Sequence, residues 1–148
     1  MNNGNYSHAE GQGIAYADYS HAEGSQTLAS GYASHAEGDT TTTLGVYSHA
    51  EGSNTVASGL YSHAEGKDTN ASGEGAHASG ENTTAAGDYS FTAGFNTVTA
   101  KDYQTAVGEY NKSGNTTDVF VVGVGDGVTR ADGFGVNSTK PQPSQRPF

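Results

Sequence analysis

Tyr47-Ser48-His49-Ala50-Glu51-Gly52-Ser53-Asn54-Thr55-Val56-Ala57-Ser58-Gly59-Leu60 is followed at once by Tyr61-Ser62-His63-Ala64-Glu65-Gly66. The hexapeptide, or a close variant, begins at Tyr6, Tyr19, Ala33, Tyr47, Tyr61, Gly75, Tyr89 and Tyr103. Six of the steps are 14 residues and the first is 13. Self-similarity at a fixed short period marks a solenoid, in which each unit buries its face only by stacking on the next.

Each unit divides into two halves with one pattern: Ser or Thr, any residue, a small residue, any residue, Gly. Ser48 to Gly52 is one half and Thr55 to Gly59 the other. Alternation at period two predicts a short strand, and Gly with its polar neighbours predicts the turn that follows. One coil is then two strands and two turns, and about eight coils fit between Tyr6 and Gly108. At ~4.8 Å per strand spacing the rod is roughly 35–40 Å long. The small members (Ser48, Ala50, Thr55, Ala57, Ser62, Ala64) are assigned to the core, because a coil this tight has no room for larger ones.

Composition agrees with such a fold. The chain has 148 residues, 22 of them Gly, no Cys, and only 32% hydrophobic residues. That is too little for an ordinary globular core. The strict register argues against disorder, although the net charge of −10 would otherwise permit it. Without Cys there is no disulfide and no thiolate metal site. An acidic chain repels phosphates, so nucleic acid is excluded as a partner. No signal peptide or apolar run of membrane length is visible, so membrane insertion is not expected.

The outward positions carry the chemistry. One column runs His8, His21, His35, His49, His63, His77, then Phe91 and Thr105. Beside it run Glu10, Glu23, Glu37, Glu51, Glu65, then Ser79, Ala93 and Val107. A polar double ladder thus gives way to apolar residues at Phe91 and Val107. This fits a column buried between subunits and sealed at one end. A core of Ala, Ser and Thr buries little area per residue, and oligomerisation is the usual remedy. After Gly108 the repeat stops. Asp118–Val124 predicts a strand and Gly133–Val136 a second, giving a β-hairpin cap over 109–137. The Pro-containing stretch 138–148 is expected to be an extended tail.

The two-strand coil with Ser-x-Ala-x-Gly resembles the β-roll heads of trimeric autotransporter adhesins (YadA-like heads). The Ser-His-Ala-Glu-Gly version is more similar to phage and prophage tail-fibre or neck-appendage proteins. So are Gly108-Glu-Tyr-Asn111, Val119-Phe-Val-Val-Gly123 and Arg130-Ala-Asp-Gly-Phe134. The resemblance spans residues 6 to about 136. It implies an all-β, left-handed parallel β-roll that assembles as a homotrimer, with His49, Glu51 and their equivalents facing the trimer centre. Adhesin heads usually carry Val and Ile there, so His and Glu are a departure. It also implies a virion location, a host cell-surface glycan or protein receptor, and contacts with other tail proteins. The alternative is an adhesin head on a bacterial surface, which requires a signal peptide and a membrane-anchor barrel.

The residues favour a non-catalytic part. His and Glu two apart on a strand share a face, and the first expectation is a hydrogen-bond and ion-pair network between subunits. A second is a metal- or ligand-binding solenoid in which the His column supplies ligands; no metal or cofactor is assigned. Catalysis needs one odd, unrepeated group in a cleft, and identical ladders offer none. The Thr column (Thr27, Thr41, Thr55, Thr69, Thr83, Thr97) suits an ice-binding surface only if it points outward, and the alternation points it inward. Tyr47 and Tyr61 belong to a stacked edge ladder and are candidate receptor contacts. Gly123-Val-Gly-Asp-Gly127 lacks the Lys and helix of a nucleotide loop and predicts a turn.

Overall fold

The computed structural model describes residues 1–137, so the expected tail over 138–148 lies outside the described residues. In chain order the strands are β1 (His8–Ala9), β2 (Ile14–Ala15), β3 (His21–Ser25), β4 (Leu28–Ala29), β5 (His35–Asp39), β6 (Thr42–Thr43), β7 (His49–Ser53) and β8 (Val56–Ala57). They continue as β9 (His63–Lys67), β10 (Asn70–Ala71), β11 (His77–Glu81), β12 (Thr84–Ala85), β13 (Phe91–Phe95), β14 (Val98–Thr99), β15 (Thr105–Glu109), β16 (Asp118–Val124) and β17 (Asp132–Asn137). The odd-numbered strands to β15 form one sheet, extended by β16 and β17. The even-numbered strands to β14 form a second, of seven strands. The chain is therefore an all-β parallel solenoid of about eight 14-residue coils.

Register follows from the repeat. β5 and β7 pair His35 with His49, Ala36 with Ala50, Glu37 with Glu51 and Gly38 with Gly52. Like therefore stacks on like, and each row of the repeat becomes a column. The first step is one residue shorter, pairing His8 with His21. Side chains alternate across the pleat, so Ala36, Ala50 and Ala64 point in and are fully buried, while His and Glu point out. Ser48, Thr55, Ala57 and Ser62 are also buried. The Thr column from Thr27 to Thr97 lies inside with them and presents no surface.

The two halves of the coil differ more than their shared pattern predicts. The first makes five-residue strands, the second only two residues, such as Val56–Ala57. The chain leaves the ladder early there. The Ala71 carbonyl accepts from both the Ser58 and Gly59 amides, which starts the turn. Two corners in most coils adopt left-handed backbone without glycine: Tyr47 and Tyr61 at φ +57°, Asn54 and Asp68 at +55° and +53°. Asn and Asp tolerate this region, but Tyr does so at a cost.

The C-terminal region joins the roll. β16 pairs in parallel with β15, aligning Thr105 with Phe120, Ala106 with Val121 and Val107 with Val122. The step is 15 residues. Phe120-Val121-Val122-Gly123 repeats the out-in-out-Gly pattern with Val121 as the buried member. β17 then pairs antiparallel with β16, which is the expected hairpin. β16 is thus at once a further rung of the roll and the first strand of the hairpin. The longer step and the Val in place of Ala hide that rung from the repeat.

Candidate functional site: the histidine and glutamate face

The outward positions of the long-strand sheet bring all the sequence-assigned ladder residues onto one face. From His21 to His77 the imidazoles form a continuous stack. Ring centroids are 4.6 Å apart for His21–His35, 4.8 Å for His35–His49, 4.9 Å for His49–His63 and 4.7 Å for His63–His77. The planes of the first three pairs lie within 2–7° of parallel. The spacing is that of neighbouring strands, so the backbone imposes the stack. His8 meets His21 edge-on at one end, and Phe91 meets His77 edge-on at the other. Phe120 and Val122 extend the two columns one rung beyond Thr105 and Val107. The apolar end of the face is therefore longer than the repeat alone indicates.

The polar atoms of this face are poorly satisfied. The Nε2 atoms of His21, His35, His49 and His63 are buried and make no hydrogen bond among the described residues. Their rings are nevertheless about one-third exposed at the edge; the His35 side chain is 34% accessible. Carboxylates lie nearby but too far to bond: His35 Nε2 is 3.7 Å from Glu37 and 3.9 Å from Glu23. Only the ends close up. His77 Nε2 donates to Glu65 at 3.2 Å, and His8 Nε2 donates to Glu10 at 2.8 Å.

Electrostatics follow from stacking like on like. Glu37 and Glu51 are close enough to share a proton. Glu37, hydrogen-bonded to Glu51 first and then partly desolvated, is pushed up to about 7. The same hydrogen bond holds Glu51 below the ordinary carboxylate range. His35 and His49 are pushed down, first by desolvation and then by neighbouring imidazoles, so their neutral forms are favoured. Beside the Glu column runs an open groove of about 470 Å³, lined by Glu10, Glu23 and Glu37 and floored by Gly11, Gly24, Gly38 and Gly52.

Tyr6, Tyr19, Tyr32, Tyr47, Tyr61, Tyr89 and Tyr103 line the corner that precedes the long strands. Tyr47 and Tyr61 stack at 5.5 Å and 2°, each about half exposed. Where Ala33 takes the Tyr position, Tyr32 swings in instead, edge-on to Tyr19 at 5.5 Å and to Tyr47 at 5.7 Å. The ladder breaks at Gly75. There the Tyr89 ring leans into the space a side chain would fill, and its hydroxyl donates to Glu74 Oε1 at 2.5 Å, raising its pKa to about 12. The Asp126–Gly127 segment is a turn, with the Val128 and Thr129 amides donating to Asp126 Oδ1.

No model of a known protein family matches this chain, and comparison with curated proteins finds no match.

Proposed function

We propose that this chain is a non-catalytic structural and host-attachment module of a phage or prophage tail fibre, built as a left-handed homotrimeric rod with the His/Glu face turned inward between subunits. The observation that carries this reading is the row of buried, unbonded Nε2 atoms on a face whose ring edges are still open. A buried polar atom without a partner costs free energy. A second copy of the same face covers the open ring edges and takes the His and Glu columns further from water. The passage of the columns into Phe91, Val107, Phe120 and Val122 supports the same placement, since a contiguous run of apolar residues on one face marks an interaction surface.

The mechanism is mechanical and multivalent. A stiff rod presents three copies of a weak site on its tyrosine edge, with Tyr47 and Tyr61 as contacts for a host surface glycan or protein, and avidity compensates for weak single contacts. Other tail proteins engage its ends.

Light scattering at neutral pH tests the assembly; a trimer is expected, and a folded monomer overturns it. His49→Asp with His63→Asp adds carboxylates to the proposed interface and dissociates the trimer. Tyr47→Ala with Tyr61→Ala leaves its mass unchanged but lowers binding to host cells.

A further inference from the structure

His35 and His63 occupy equivalent surroundings two coils apart. His35 Nε2 is 3.7 Å from Glu37 Oε2 and 3.9 Å from Glu23 Oε1. His63 Nε2 is 3.6 Å from Glu51 Oε1, and Glu65 offers an oxygen within 4.8 Å of both. Both Nε2 atoms are buried without a hydrogen bond. Separations of 3.6–3.9 Å are too long for an N–H···O bond, which ends near ~3.2 Å. They are instead the separations of two donors on one ion. With bonds of ~2.0–2.2 Å, donors lie about 3.4 Å apart in a tetrahedron and up to about 4.2 Å apart when opposed.

The ring planes decide how the donors group. An imidazole offers its lone pair in the plane of the ring. His49 lies 7° from parallel to His35, at 4.8 Å, and 3° from parallel to His63, at 4.9 Å. His35, Glu37 and His49 offer donor atoms within 4.8 Å of one another, but rings stacked in this way cannot aim at a common ion, so each ion takes one imidazole and Glu23 takes the place of His49 beside His35. The unit is then the Glu of one coil with the His and Glu of the next. His49 sits between two such units, and its neighbouring carboxylates, Glu37 and Glu51, belong to the units on either side.

The geometry points to a site for a divalent transition-metal ion at Glu23, His35 and Glu37, and a second at Glu51, His63 and Glu65. One nitrogen and two carboxylates suit zinc and its neighbours in the first transition row; calcium and magnesium prefer all-oxygen sets and gain nothing from the imidazole. Three protein donors leave the remaining positions to water or to a neighbouring chain. An ion at each unit also offsets the repulsion within the file of carboxylates. Every named donor comes from one chain, so the inference stands whether or not the rod is a trimer or part of a fibre.

The test uses the untagged protein, stripped with a chelator and titrated at neutral pH with Zn²⁺ by calorimetry and with Co²⁺ by visible absorption. The expected result is saturation at two ions per chain, one at each site, with Co²⁺ absorption bands of a low-coordinate N/O site. His35→Gln removes one ion, His35→Gln with His63→Gln removes both, and His21→Gln removes neither. These side chains point outward, so the variants keep the fold, which circular dichroism checks. No saturable Zn²⁺ binding overturns the inference. So does binding that survives the double variant, or that Ca²⁺ displaces at equal concentration, since either result assigns the ions to carboxylates alone.

Discussion

The Asn111 side chain stands in for a missing coil against Val98. The Val98 amide donates to Asn111 Oδ1 at 2.7 Å, and Asn111 Nδ2 donates back to the Val98 carbonyl at 2.8 Å. In earlier coils the equivalent amide, such as that of Val56, donates to the Thr69 carbonyl of the next coil. Among the described residues no short strand follows β14, so a side-chain amide takes that part. Gln104 does the same one step on, accepting from the Ala100 amide at 3.0 Å. Arg130 closes the corner by donating to the Asn96 and Asn111 carbonyls. An open sheet edge invites further strands, and this end is shut by side chains.

Asn111→Ala is therefore expected to destabilise the roll. It removes a fully buried side chain and leaves the partly buried Val98 amide and carbonyl unpaired, at up to ~1–3 kcal/mol for each orphaned group. Denaturant unfolding measures the loss. A change within error would show that water replaces the amide at no cost.

Ala50 is fully buried between Ala36 and Ala64 in the narrow core. Ala50→Leu forces three extra carbons into a space set by the coil diameter. A loss of about 1–3 kcal/mol or more is expected. Thermal melting checks it; an unchanged midpoint would mean the coil can widen.

Gly52 sits at φ +109°, and a Cβ there would lie 2.0 Å from the Gly66 carbonyl oxygen. Both the dihedral and the stacked neighbour exclude a side chain. Gly52→Ala is expected to cost more than the ~1–3 kcal/mol of a strained backbone alone, because the clash is with main chain that cannot turn aside. Wild-type stability in this variant would contradict the observed spacing of the glycine column.

Acidity acts on Glu37 and on the His column in opposite senses. Glu37 is raised from 4.5 to about 7, so the folded chain holds that proton more tightly than the unfolded one. Its contribution is complete below about pH 4.5 and is lost as pH rises through 7. His35 and His49 are lowered from 6.5, so their contribution is present above that value and is lost as pH falls. Glu37→Gln keeps a neutral side chain at every pH. With chelator present, its melting temperature should fall less than that of the wild type between pH 5.5 and pH 8. Parallel curves would remove Glu37 as the group responsible.

The 14-residue period by itself determined the coil, the division into inward and outward positions, and the columns of His, Glu, Thr and Tyr. These are local properties: alternation on a strand and recurrence at a fixed step need only neighbouring residues to be read. Tertiary structure decided what the columns do. Whether an imidazole nitrogen finds a partner depends on tenths of an ångström between coils, which no spacing encodes. That Glu51 pushes Glu37 up, that Tyr32 replaces Ala33 in its ladder, and that Phe120 continues the His column are consequences of register between residues 13–15 apart. The Asn111 cap was illegible for the same reason. An isolated Asn after the last repeat becomes a strand surrogate only when β14 presents it with an unpaired amide.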